Sequence, residues 1–190
     1  MHWLVRKSIE SFLRDTYNER LCRTACHVPG AGSQQDFILD RHSRDLIDDA
    51  ARFLDKTESD LLEDLGAWIA RQERTRRLLR FSGRNFREFL LNLELLPDRM
   101  RMIVPDLPMP QMRVVEDGGD CLRVEIPSDQ SEWLHAIAGL IRCMADDYGV
   151  LGLIWTDDDR VIVQISDGAF TSGRSFWPGE DDGLAEVEPA

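Results

Sequence analysis

Residues 81–112 read FSGRNFREFLLNLELLPDRMRMIVPDLPMPQM, and this stretch decides the fold. Asn85 and Glu88 stand in capping-box relation, and behind them Phe86, Phe89, Leu90, Leu93 and Leu96 recur at helical spacing. A helix with one buried face is therefore expected up to Leu96. Pro97 ends it: proline fixes its own φ and disfavours helix in the preceding residue, yet suits the first turn of a new helix. Asp98, Arg99, Met100 and Ile103 can form that second helix, so two helices are expected to meet at Leu96–Pro97.

Upstream of this stretch the chain reads as helix. Leu4, Val5, Ile9, Phe12 and Leu13 alternate with Arg6, Lys7, Glu10 and Arg14 in an amphipathic first helix to about Tyr17. A short helix over 18–27 is expected next, closed by the turn-rich Pro29 to Ser33. Ser43 opens a helix through Leu54, with Leu46, Ile47, Ala50, Phe53 and Leu54 inward, and Thr57 or Ser59 caps another carrying Leu61, Leu62, Leu65, Trp68 and Ile69. Downstream the period changes. Val114 and Val115, the turn Asp117 to Asp120, and Leu122, Val124 and Ile126 form a hairpin pattern. A long helix follows with Trp133, Leu134, Ile137, Leu140, Ile141, Met144 and Tyr148 on its apolar face, then strands over 150–155 and 161–165 around the turn 156–159. The fold class is α+β: a helical part over about 1–104, then a four-stranded antiparallel sheet with a crossing helix over about 110–166. Together they make one domain, 1–166, ahead of an acidic segment over 167–190 whose Gly, Ser, Pro, Asp and Glu content leads us to expect a mobile tail.

Of the 190 residues 43% are hydrophobic and 31% charged, the balance of a globular protein, and the net charge of −12 argues against nucleic acid or an anionic membrane as partner. The amino terminus lacks a signal-peptide core and no segment reaches membrane-spanning length, so a cytoplasmic protein is expected. Cys22, Cys26, Cys121 and Cys143 are too scattered for a disulfide framework and are expected to be reduced.

Asn85-Phe-x-x-Phe-Leu-x-x-Leu93, then Leu96-Pro-Asp-Arg99, then a helix ending near Leu107-Pro-Met-Pro110, resembles the haem nitric oxide/oxygen-binding (H-NOX) family. The resemblance runs from the amino-terminal helices to about Asp167. It implies an H-NOX fold with haem between the helical and sheet parts, where a change in ligation shifts one against the other and signals to a histidine kinase or a cyclic-nucleotide enzyme. Pro97 stands where the family carries the iron-ligating histidine. Pro110 stands where a proline presses on the haem. The family's Tyr-x-Ser-x-Arg propionate motif falls on Ile126-Pro-Ser128-Asp-Gln130, of which Ser128 alone is retained. By the same ungapped comparison His135 faces the distal side of the haem, with Val5 and Ile9 on its apolar wall.

These departures bear on the cofactor. Proline cannot ligate iron, and an amide at Gln130 is a weak substitute for arginine's two-pronged hold on a carboxylate. An imidazole at His135 is a competent ligand, set against the ordinary reading of a histidine at a helix surface or hydrogen-bonded in a core. Cys22 and Cys26, one turn apart beside His27, read as packed thiols, since nothing nominates the further ligands a zinc site requires. The arginines from Arg71 to Arg87 read as a solvated face paired with carboxylates, interrupted by core residues Leu78, Leu79 and Phe81; a docking surface for an acidic partner is the other choice. Asp157 to Asp159 lack the spacing of a calcium loop, and most tryptophans fall in core patterns, Trp177 in the tail excepted. No phosphate loop, nucleophile elbow or metal-protease motif occurs, so an enzyme is not expected. The expected function is a sensory or regulatory domain with a degenerate haem site, acting through a protein partner. Its rival is a haem-dependent gas sensor with iron on His135.

Overall fold

A computed structural model describes residues 3–17, 38–103, 107 and 109–166. The helical part comprises α1 (Trp3–Thr16), α2 (Ile38–Leu54), α3 (Glu58–Arg71), α4 (Glu73–Arg80), α5 (Phe86–Leu91), a 3-10 turn (Asn92–Leu95) and α6 (Leu96–Ile103). The sheet part comprises β1 (Arg113–Glu116), β2 (Cys121–Glu125), the crossing helix α7 (Trp133–Tyr148), β3 (Gly152–Asp157) and β4 (Arg160–Ile165). All strand pairs are antiparallel, in the order β1-β2-β4-β3, with Val124 opposite Val161 and Leu122 opposite Val163. The expected α+β architecture is the observed one.

Two apolar cores result. In the amino-terminal core, Ile9, Phe12 and Leu13 of α1 pack with Ile47 and Ala50 of α2 and Leu61 and Leu65 of α3. The larger core joins one face of the sheet, Leu122, Val124, Val161 and Val163, to Ile137, Ile141 and Met144 of α7 and to Phe86, Phe89, Leu90 and Leu93 beneath it. Strand alternation explains the sheet's share, since every second residue faces α7. Between the cores, α3 and α7 cross with their backbones in contact at Gly66 and Gly139, where a Cβ would collide with the carbonyls of Ala136 and Glu63 respectively.

The decisive stretch folds nearly as its sequence prescribes. Asn85 Oδ1 accepts from the Glu88 N–H at 2.9 Å, while Glu88 Oε2 accepts from the N–H of Arg84 at 2.9 Å, one residue earlier than a strict capping box. The α-helix closes at Leu91 and a 3-10 turn carries the chain to α6, so two α-helices do not abut at Leu96–Pro97 as expected. Tertiary hydrogen bonds account for the tightening: Asn92 Nδ2 donates to the Ser82 carbonyl at 2.6 Å, and Glu94 Oε1 accepts from the Val114 N–H at 2.6 Å. Pro97 sits in the first turn of α6, where its missing donor costs nothing.

Other expectations shift in detail. Thr57 rather than Ser59 caps α3, its hydroxyl accepting from the Asp60 N–H at 3.1 Å. Helix α2 begins at Ile38, so Ser43 lies inside it; nothing between Ile38 and Ser43 interrupts a helix. Phe53 lies at the edge of the α2 apolar arc, in its last turn, and is exposed. Phe81 ends α4 and turns to solvent at 87% exposure, outside the core expected for it. Trp155 is 41% exposed because β3 is an edge strand and Trp155 alternates with the inward Ile154. Thr156 and Asp157 extend β3, leaving a tighter turn at Asp158 and Asp159. The expected helix over 18–27, with Cys22, Cys26 and His27, and the tail over 167–190 lie outside the described residues. No helix among those described is long and apolar enough to cross a membrane.

Candidate functional site

A cavity of about 870 Å³ lies between α1, α2, α3, α6 and α7, a size typical of small-molecule sites, which run to roughly 300–1,000 Å³. Its walls are mainly apolar: Val5 and Ile9 from α1, Leu62, Leu65 and Ile69 from α3, Leu96 and Met100 from α6, Met109 from the following loop, and Ile137 and Leu140 from α7. The helical repeat explains each set, for Val5 and Ile9, Leu62 and Ile69, and Leu96 and Met100 share helix faces. Helix α6 is held in place by Arg99, whose Nη1 donates to the Ser82 Oγ at 2.9 Å.

His135 lines this cavity from the first turn of α7. Its Nδ1 is shut off from solvent and has no hydrogen-bond partner. The nearest carboxylate oxygen, Glu63 Oε1, stands 3.9 Å away, too far for a hydrogen bond, and Glu63 is paired instead with Arg142. Burial pushes the imidazole's pKa down, opposed by the Asp60 carboxylate. The His135 side chain thus forms part of the cavity wall, with its Nδ1 buried and without a hydrogen-bond partner.

The polar lining is one-sided. Asp48, Glu58, Glu132 and Asp158 contribute to it, and among the described residues no lysine or arginine does. Asp48 is paired on its own helix with Arg52, while Glu58 and Asp158 are exposed and mark the cavity's open edge.

The structure gathers only some of the residues singled out in the sequence. His135, Val5 and Ile9 meet at the cavity. Pro97 and Pro110 are buried and each immediately follows a lining residue, Leu96 and Met109, without lining the cavity itself. Ser128 is exposed in a 3-10 turn, and Gln130 close by has a buried Oε1 with no hydrogen-bond partner. Sequence reasoning missed Met100 and Met109 as lining residues and missed the acidic set altogether. The methionines flank Pro97 and Pro110 and could have been nominated by that proximity; carboxylates on four separate elements leave no local pattern.

The haem-NO-binding family model matches residues 4–150, well over half the chain. The chain belongs to the H-NOX family. Its fold is that of solved H-NOX proteins: the Fe(II) unliganded protein from K. algicida is 16% identical with a TM-score of 0.72, covering 90% of this chain and 99% of that one. A triple mutant of the S. oneidensis H-NOX protein is 11% identical with a TM-score of 0.72, covering 88% and 97%. An oxygen-binding H-NOX domain related to soluble guanylate cyclases is 13% identical with a TM-score of 0.62, covering 88% and 96%. No curated protein matches the chain.

An H-NOX domain's haem needs an axial donor and partners for two propionates. Donor atoms are present in the lining: the His135 imidazole and the thioethers of Met100 and Met109. Propionate partners are not, since the described lining offers four carboxylates and no cation. Among the described residues, the lining therefore offers a dianionic porphyrin axial donors but no cationic partner. Among the described residues no group of three or more His, Cys, Asp or Glu side chains could hold a metal ion.

Proposed function

We propose that this chain is an H-NOX sensory or regulatory domain whose haem site is degenerate, and that it acts through a protein partner such as a histidine kinase or a cyclic-nucleotide enzyme. The observation that carries this reading is Pro97. It stands at the position of the family's ligating histidine, is buried in the first turn of α6, and has no atom that can coordinate iron. The acidic lining adds to it, because carboxylates facing propionates repel them in a partly desolvated site. Its two cores are built from the chain's own apolar side chains, and the cavity lies between its helices. Activity of its own is not part of this reading; the domain's output is contact with the partner.

One observation favours a second reading, a gas sensor with haem iron on His135: that residue lines the cavity and its Nδ1 makes no hydrogen bond. The visible absorption spectrum separates the two. On the first reading the purified protein shows no Soret band, and titration with haemin, ferric or reduced, with or without nitric oxide, gives spectra indistinguishable from free haemin. A sharp Soret band that shifts with nitric oxide and disappears in His135→Ala would replace the first reading with the second.

A further inference from the structure

In a chain whose net charge is −12, residues 71–87 carry seven arginines against one carboxylate, Glu73. The structure divides these arginines by use. Arg76 grips Asp147 through two nitrogens, Arg77 pairs with Glu73, and Arg87 pairs with Glu116 and Asp120. Arg74, Arg80 and Arg84 are exposed and have no carboxylate partner among the described residues. The helix does not account for them all. Arg80 in the last turn of α4 offsets the helix dipole, but Arg74 stands in the first turn, where a cation is unfavourable, and Arg84 lies beyond the helix. Between them Phe81 turns to solvent, almost fully exposed. The face is held in place from beneath. Phe81 N–H donates to the Arg77 carbonyl at 3.0 Å, one turn back on the face that also carries Arg74. The Arg80 guanidinium lies 4.0 Å from the centre of the Tyr148 ring, whose hydroxyl donates to the carbonyl of Gly83, next to Arg84, at 2.8 Å. Ser82, directly after Phe81, is buried and bonded to Asn92 and to Arg99 of α6.

We propose that this face, Arg74, Arg80 and Arg84 around Phe81, docks an acidic segment of the partner protein that carries an apolar side chain among its carboxylates. Each guanidinium offers a planar fork that matches a carboxylate, which gives the contact its charge preference. Phe81 gives it an anchor, since the apolar side chain of the segment removes that ring from water. The flanking arginines are already neutralised by Asp147, Glu73 and Glu116, so the uncompensated charge is short. A short segment with a few carboxylates fits within it. A nucleic acid strand, charged at every nucleotide, would run on to the surrounding acidic surface and be repelled. The inference rests on the reading of a domain whose output is contact with a protein, and it names where that contact is made and with what chemistry.

Fluorescence anisotropy with three labelled probes tests it: a peptide of aspartates and glutamates around a central leucine pair, the same peptide with asparagine and glutamine for the acids, and an oligothymidylate of similar length. With the full chain at moderate salt, the acidic peptide binds about tenfold or more tighter than its amide counterpart and tighter than the oligothymidylate. In the double variant Arg74→Gln, Arg84→Gln the acidic peptide weakens about tenfold and its advantage over the amide peptide disappears. Phe81→Ser weakens both peptides about fivefold. Arg52→Gln, which removes an exposed cation on α2, changes nothing, and the thermal midpoint is the control for folding in every variant. Equal binding of the two peptides overturns the proposal, as does an acidic preference that survives the double variant or is lost as readily in Arg52→Gln. Oligothymidylate binding as tightly as the acidic peptide, and lost in the same double variant, would make the face a nucleic-acid surface instead. Failure of the underlying reading looks different: haemin would give the nitric-oxide-sensitive Soret band whatever the peptides do, whereas no Soret band and no acidic preference reject this inference alone.

Discussion

Gly66 on α3 and Gly139 on α7 rest reciprocally on each other's helix. An added Cβ at Gly66 would lie 2.7 Å from the Ala136 carbonyl carbon, and one at Gly139 the same 2.7 Å from that of Glu63. The two cores meet through this crossing, and it sets where His135, next to Ala136, enters the cavity wall. Side chains larger than hydrogen would drive the helices apart. Gly66→Ala and Gly139→Ala are each expected to destabilise the fold by about 1–3 kcal/mol through overpacking, even though alanine is the better helix former by about 1 kcal/mol. That lowers the thermal midpoint by roughly 2–4 °C per kcal/mol in a chain of this size. An unchanged or raised midpoint would show that the helices are not in backbone contact.

His135 gives a pH dependence of known sign. Burial holds its folded pKa below the usual value of about 6.5 for an unfolded chain. The unfolded state therefore binds more protons at pH values between the two. Stability is full above about 6.5 and falls as pH drops through that value towards the folded pKa. The carboxylates facing the ring, Asp60 and Glu63 on α3, oppose the effect only partly, since Glu63 is paired with Arg142. Urea denaturation across this window is expected to show a shallower slope with pH for His135→Gln than for the parent. Identical slopes would assign the titration elsewhere.

Tyr17, Lys56 and Asp64 tie the end of α1 to α3. Tyr17 Oη and Lys56 Nζ donate to Asp64 Oδ2 at 2.7 and 2.6 Å, and Lys56 also reaches Tyr17 Oη at 3.1 Å. Burial on its own would raise the Asp64 pKa, but the hydrogen bonds from Lys56 and Tyr17 outweigh it and hold the carboxyl below its usual range. Its contribution is present above about pH 3.9 and is lost as pH falls through the depressed folded value. Tyr17→Phe is expected to cost about 1 kcal/mol. Asp64→Asn should be most damaging at neutral pH and converge on the parent in acid; a gap that persists at the lowest pH would contradict the linkage.

Phe89 anchors the segment that carries Pro97. It is fully buried, stacked on Phe86 with ring centres 6.0 Å apart, and 5.8 Å from the ring of Tyr148, whose hydroxyl donates to the Gly83 carbonyl at 2.8 Å. Phe89→Ala should cost about 3–5 kcal/mol and Tyr148→Phe about 1, the difference between a cavity and one lost hydrogen bond. Chemical denaturation measures both, and comparable losses would mean that the hydrogen bond contributes as much as the packing.

Much of this was legible in the chain. The apolar periods of Val5 to Leu13, Leu61 to Ile69 and Trp133 to Tyr148 gave helices where the structure has them, because a helix that must bury one face writes that need at every third or fourth position. The alternation around Leu122 to Val124 and Val161 to Ile165 gave the sheet for the same reason at period two. The errors fall where local pattern competes with tertiary contact. Asn92 and Glu94 are drawn into a 3-10 turn by Ser82 and Val114, and Phe81 is turned outward where α4 ends.

The site divides in the same way. That proline stands at 97 and glutamine at 130 is a property of the sequence alone, and covalent chemistry settles what those side chains cannot do. Which groups line one cavity was decided only by the tertiary structure. Asp48, Glu58, Glu132 and Asp158 come from four separate elements and share no spacing, so no window of sequence joins them. Glu58 on α3 and His135 on α7 line one cavity because those helices, far apart in the chain, cross in backbone contact at Gly66 and Gly139. A periodic pattern reports which face of an element is buried; what that face meets depends on packing, which only the folded chain defines.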